Sequence, residues 1–254
     1  MKTLIERLAG SPACVPQMNV EQVLAFINGM GLTKMEVYME GVTSAFSMQC
    51  DPNYYRQKAQ AHNIRFISVQ LPEIDIEREE TLEMALKGVE FTKRLNAPTV
   101  IMRPANFQTC KEWAGRLTHT AEKLDLRMAV QNIAGAGLST AEELQRLADE
   151  IDEERLKFVL DIRECGKADA DWKAMLDVMQ ERLVLVHLAD THDKQCVEYG
   201  KGDIDFADLF GRLQNSDYDG YFVVKLEGTQ GYDWQRESTK KAVQFLCDAW
   251  EETE

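Results

Sequence analysis

The stretch LVLVHLADTHDK, residues 183–194, is a run of apolar β-formers that ends in His187, Asp190, His192 and Asp193. Side chains alternate along a strand, so Leu183, Leu185 and His187 share one face and Val184, Val186 and Leu188 the other. The same parity in other apolar runs puts Glu36 and Tyr38, Ser68 and Gln70, Arg103, Gln131, Asp161 and Arg163, and Lys225 and Glu227 on the face shared with His187. Carboxylates, an imidazole, amides and cations delivered to one place form the apparatus of a polar site. Arg103, Arg163 and Lys225 are costly to bury unless paired or used, so they can fix an anionic or hydroxyl-rich substrate, with Glu36 as their partner or as a further substrate contact.

The elements that would deliver these groups are eight strand candidates: ERLAGSPAC, TKMEVYM, IRFISVQ, APTVIMR, LRMAVQN, LKFVLDI, RLVLVHL and GYFVVKLE. Amphipathic segments such as NVEQVLAFINGM, EREETLEMALKGVEFTKRL, TAEELQRLADEI and ESTKKAVQFLCDAW alternate with them, opened by polar N-caps such as Asn19 and Ser139. Eight strand-then-helix units predict an α/β fold, a single (β/α)8 TIM barrel spanning residues 1–254, whose site lies at the carboxyl ends of the strands. Gly10 and Pro12 interrupt the first strand candidate. A doubly wound open sheet is the alternative, but no G-x-G-x-x-G follows any strand.

Composition restricts the function further. With 44% hydrophobic residues the chain can bury a large core, and no stretch approaches the roughly 20 apolar residues of a membrane span. The opening MKTLIERLAG lacks the order of a secretory signal, so a cytoplasmic protein without membrane contact is expected. Six scattered cysteines read as reduced thiols. The net charge of −14, from 43 acids against 29 bases, disfavours nucleic acid as a partner. Acid runs such as ADEIDEE read as solvated helix faces.

Five pieces stand out: VLD ending at Asp161, VHLAD with His187 and Asp190, GKGDIDFADLF at residues 200–210, YDGYFVVKLEG with Glu227, and DWQRESTKKAVQFL. In this order and spacing they resemble the xylose isomerase-like barrels, the sugar phosphate isomerase/epimerase group that also contains tagatose and psicose epimerases, inosose dehydratases and apurinic endonucleases. The resemblance covers nearly the whole chain and implies one divalent metal (Mn²⁺, Mg²⁺, Co²⁺ or Zn²⁺) held at Gln131, Asp161, His187 and Glu227.

It also implies a reaction. Such barrels abstract a proton next to a carbonyl of a keto-sugar or related polyol, which makes Glu227 the expected base, His187 and Lys225 its catalytic companions, and Glu36, Arg103, Arg163, Glu164 and His192 the substrate contacts. The chain departs from the family pattern in three places. Gln131-Asn132 stands where the family has Glu-Asn, and Asp161-Ile162-Arg163-Glu164 replaces D-x-x-H. Lys225 brings an ammonium beside the expected metal, so a metal-free, lysine-assisted site or a structural ion pair with Glu227 or Asp161 are the competing readings.

Gln131 cannot exchange a proton, and its presence tilts the expected sugar isomerase/epimerase chemistry toward isomerisation or a lyase-type β-elimination, with His187, Glu164 or His192 as auxiliary acids. The apurinic endonuclease branch fits poorly, because that histidine-rich site cannot be built from the four histidines present. A non-catalytic barrel subunit that binds a sugar-like ligand is the remaining reading. The oligomeric state stays open, a homo-oligomer included.

Overall fold

The computed structural model describes residues 3–39, 45–151, 155–227 and 231–253; the last three acids of ADEIDEE lie outside them. Eight parallel strands close into a barrel: β1 (Leu8–Gly10), β2 (Lys34–Tyr38), β3 (Arg65–Ile74), β4 (Thr99–Pro104), β5 (Arg127–Gln131), β6 (Lys157–Asp161), β7 (Leu183–Leu188) and β10 (Tyr221–Val224). Each strand pairs with its sequence neighbours in the barrel, and β10 pairs with β1 to complete the ring. A short antiparallel hairpin, β8 (Asp190–His192) with β9 (Gln195–Val197), leaves the end of β7.

Helices α1 (Val20–Gly29), α2 (Pro52–Ala61), α3 (Glu79–Leu95), α4 (Phe107–Lys123), α5 (Ala141–Glu150), α6 (Ile162–Ala168), α7 (Trp172–Met179), α8 (Phe206–Asn215) and α9 (Tyr232–Glu251) surround it. Asn19 caps α1 as expected, with its side chain accepting from Gln22 N, but α5 is capped by Thr140 rather than Ser139. Ser139 instead accepts from Gly135 N and donates to Ile133 O, bracing the loop before that helix. The interrupted first strand is short for the reason its sequence gives: after Gly10 the chain turns into a 3₁₀ turn, Pro12–Cys14. None of the six cysteines forms a disulfide.

The barrel interior has two levels. Ala9, Ile67, Ile101, Ala129, Val159, Leu185 and Val223 form a separate buried apolar layer. Two residues further along their strands stand Arg103, Gln131, Asp161, His187 and Lys225, on the same face and one level nearer the carboxyl ends. A bulge fits β3 into this scheme. Met35 pairs with Phe66 but Glu36 with Ser68, so Ile67 is an extra residue that fills the apolar layer while Ser68 and Gln70 join the polar level.

Asp190, which follows β7, has a structural task. Its Oδ2 accepts from Gly200 N and Gly202 N at 2.8 and 2.9 Å, and its Oδ1 from Thr191 N and Ile204 N at 3.0 and 3.3 Å. The carboxylate thus gathers the loop that leads from the hairpin to α8. Gly202 approaches so closely that a Cβ there would lie 2.1 Å from Asp190 Oδ1 and 2.6 Å from the Thr191 carbonyl.

Gly202→Ala is therefore expected to destabilise the fold by about 1–3 kcal/mol, the usual cost of forcing an atom into a filled space. Gly115→Ala in α4, where an added Cβ meets nothing within 4 Å, is expected to be neutral or stabilising by up to about 1 kcal/mol. Urea denaturation of the two variants tests the contrast; equal stability would show that the Asp190 cradle tolerates a shift.

Candidate active site

Asp161 is the centre of the polar level. It ends β6 and caps α6, so one oxygen serves the helix and the other the barrel: Oδ1 accepts from Glu164 N at 3.2 Å. Oδ2 accepts from Gln131 Nε2 at 3.1 Å, His187 Nδ1 at 2.9 Å and Lys225 Nζ at 3.1 Å. Asn132 fixes the backbone beneath, accepting from Asp161 N at 2.6 Å and donating to Asp161 O at 3.0 Å. The Gln131 side chain is oriented in turn by Gln70, whose amide nitrogen donates to its carbonyl oxygen.

His187 is held from both sides. Its Nε2 lies 3.0 Å from Glu36 Oε2, which also accepts from Ser68 Oγ at 3.0 Å. A carboxylate facing each ring nitrogen favours the doubly protonated imidazolium, against the opposing Lys225 ammonium 3.3 Å from Nδ1. Burial works against the charge of His187, but the Glu36 and Asp161 carboxylates outweigh it and raise its pKa above the ordinary 6.5. Burial likewise opposes ionisation of Asp161, yet the neighbouring Lys225 and His187 hold its carboxyl far below the usual range. Lys225 is pushed above its ordinary value because Asp161, Glu227 and Glu36 overcome the desolvation of its ammonium.

Toward the opening, Glu227 forms an ion pair with Arg163, Nη1 to Oε2 at 2.9 Å, and lies 3.8 Å from Lys225 Nζ. Glu164 is fixed by Lys167 Nζ at 2.6 Å and by the Ala134 backbone N–H at 3.1 Å, with Arg163 at 3.5 Å. Arg103 donates to the Tyr38 hydroxyl and lies over its ring, 5.6 Å from the centroid.

The structure thus brings Glu36, Gln131, Asp161, Arg163, Glu164, His187, Lys225 and Glu227 into one connected cluster, with several roles changed. Glu36 is fully buried; its Oε2 meets both His187 Nε2 and Ser68 Oγ while its Oε1 has no hydrogen-bond partner among the described residues, so its observed contacts orient the cluster from beneath the barrel mouth. His187 is also fully buried with both nitrogens engaged, which removes it as a substrate acid or a metal ligand in this arrangement. His192 stands apart: it is 56% exposed on β8 and paired with Asp203 at 3.1 Å. Parity could not see this, because the chain leaves β7 for a hairpin before reaching it. Lys167 and the backbone-clamping role of Asn132 escaped sequence reasoning; the one available signal was an Asn directly following a strand-end Gln.

The donor set expected for a divalent ion is already occupied by protein. Among the described residues, no group of three or more His, Cys, Asp or Glu side chains is arranged to hold a metal ion. The Lys225 ammonium stands between Asp161 Oδ2, His187 Nδ1 and Glu227 Oε1, at 3.1, 3.3 and 3.8 Å. Glu36, Asp161, Glu164 and Glu227 balance His187, Lys225, Arg163 and Lys167, and two further positive charges would have to enter a balanced cluster beside an ammonium. These residues do not fit a divalent ion while Lys225 keeps this position.

The fold is a (β/α)8 barrel with its polar level at the carboxyl ends of the strands. A family model described as a xylose isomerase-like TIM barrel matches residues 24–249, and the chain belongs to that family. The inosose dehydratase of Lactiplantibacillus plantarum is 25% identical over 190 residues, 59% of this chain and 63% of that protein, so the match spans under two thirds of the relative's length. A solved D-tagatose 3-epimerase-like protein shares 17% identity, with a TM-score of 0.80 over 97% of this chain and 98% of that one. The IOLI protein with a binding zinc atom shares 15%, with a TM-score of 0.79 over 98% and 99%. At such identities the two structures establish likeness of fold.

The His187 assignment is testable by ¹⁵N NMR of the imidazole. Both ring nitrogens are expected to keep their protons above the pH at which an ordinary imidazole, near 6.5, loses one, and a neutral tautomer titrating near that ordinary value would contradict the double donation. The corresponding stability has a definite sign. A raised folded pKa contributes in full below about pH 6.5 and is lost as pH rises through the folded value, so the His187→Gln variant should show a flatter alkaline limb than the wild type.

Proposed function

We propose that the protein is an enzyme of keto-sugars or keto-cyclitols that removes a proton from the carbon beside a carbonyl and completes a β-elimination of water. The observation that carries this reading is the unequal exposure of the cluster's carboxylates. Glu227 is 27% exposed at the barrel mouth, against 10% for Glu164, 1% for Asp161 and 0% for Glu36. One open carboxylate beside cations suits a reaction with a single proton acceptor.

In the proposed reaction Glu227 takes the α-proton, and the electron pair moves onto the carbonyl oxygen. Lys225 and Arg163 stabilise the resulting enolate, being fixed before the charge develops. The enolate then expels the β-hydroxyl, which leaves as water with the proton returned by Glu227 from the same face; substrate becomes an enone and one water. Glu164, Arg103 and Arg163 are the groups placed to bind hydroxyls of the substrate. Gln131 has no proton to exchange and its amide is committed to Asp161, which disfavours epimerisation, where a second base must act on the opposite face. The name of the inosose dehydratase relative supports elimination over isomerisation, and a neutral keto-cyclitol is the first substrate to try.

Incubation with keto-cyclitols and ketohexoses, followed by mass spectrometry and enone absorbance, tests the proposal. A product lighter by one water is expected, and Glu227→Gln should lower kcat by about 10²–10⁴-fold while the barrel stays folded. A product of unchanged mass would point to isomerisation from the same base. Full activity in Glu227→Gln would mean that the base is another residue.

A further inference from the structure

We propose that Lys225 is a resident cation built into the barrel, that it excludes divalent ions from the cluster, and that its removal alone turns Asp161 and Glu227 into a divalent-cation site. Binding is read without substrate, so the proposal stands apart from the reaction described above.

The argument begins with the donors around Nζ. Lys225 is 4% exposed, and its ammonium meets Asp161 Oδ2 at 3.1 Å, the His187 ring at 3.3 Å and Glu227 Oε1 at 3.8 Å. An ammonium has three donors and no acceptor, and carboxylates on two sides of it are the environment that a small hard cation also selects. Metal–oxygen bonds of about 2.0–2.3 Å would require those oxygens to close in by about an ångström, onto the volume now filled by Nζ. Lys225 and an ion therefore compete for one place.

Covalent attachment decides the competition. The lysine is delivered by β10, whose register against β7 pairs Val223 with His187 and Val224 with Leu188. The Lys225 backbone N–H donates to Leu188 O at 3.0 Å, which fixes where the stem starts. A tethered cation pays no cost of association and needs no supply from solution, so the cluster is charge-balanced as soon as the barrel closes. Gln131 is consistent with this arrangement. A glutamate there would add a further carboxylate facing Asp161 across 3.1 Å, whereas the amide donates its N–H to that oxygen.

Mn²⁺ titration of chelator-treated protein by calorimetry tests the proposal. The wild type and Lys225→Arg are expected to show no saturable uptake of Mn²⁺ into the barrel. Lys225→Ala is expected to take up about one Mn²⁺ per chain, with affinity raised on the order of a hundredfold or more as a like charge is replaced by an open position. Adding Asp161→Asn to Lys225→Ala should abolish the gain. Should Lys225→Ala not fold by itself, refolding it with and without Mn²⁺ asks the same question, because an ion that replaces the ammonium restores the barrel. Wild-type uptake of one Mn²⁺ that Asp161→Asn removes would overturn the proposal. So would a folded Lys225→Ala with no gain in affinity, or an unfolded one that Mn²⁺ fails to restore.

Discussion

Lys225 and Asp161 lie 3.1 Å apart inside the barrel, 4% and 1% exposed, and the rest of the polar level is arranged around that pair. Taking two charges out of water costs several kcal/mol per ion after relaxation, and their attraction offsets this only where the remaining lone pairs and protons are satisfied. Asp161 meets that condition with donors from β5, β7, β10 and the first turn of α6. Each donor comes from a different element, so the pair is complete only when the barrel is closed in register. Glu36 and Ser68 extend the same balance to β2 and β3 through His187.

Burial also sorts the carboxylates by task. Glu36 and Asp161, sealed against water, hold charge and position; Glu227, one alternation step beyond Lys225 on the same chain segment, reaches the opening with Arg163 at 2.9 Å. A preorganised pair of cations next to an open carboxylate can stabilise an enolate without reorganising when it forms. The proposed chemistry thus depends on the buried pair indirectly. Lys225 can face Glu227 only because Asp161 holds its ammonium from the other side.

Much of this was legible in the sequence. Period-2 patterning located the seven longer strands to within a few residues, and parity named the inward groups of the strands, though not Arg163, which lies in the first turn of α6 where alternation has ended; a closed parallel barrel has few other ways to bury Val/Ile/Leu runs. The bulge at Ile67 was not legible: it depends on pairing between β2 and β3, and nothing local marks it. His192 was expected at the site and the hairpin was not foreseen, because alternation beyond Leu188 ceases to mean anything once the chain leaves the barrel. Exposure of the family's motif residues could not be read either. The motif placed Asp161 and His187 on their strands, while Glu227 lies three residues past the end of β10; whether a cation site or an ion-pair cluster results depends on one neighbouring side chain, Lys225, whose reach only the three-dimensional structure gives.

A double-mutant cycle on Asp161 and Lys225, read as free energy of unfolding, tests the central claim most directly. Asp161→Asn and Lys225→Met each strip the buried partner of its nearest counter-charge, and each should cost about 3–5 kcal/mol. The double variant removes both charges and should cost far less than the sum of the two, giving a large coupling between the sites. Costs that simply add, or singles that cost less than about 1 kcal/mol, as exposed ion pairs do, would contradict an account in which this pair holds the polar level together.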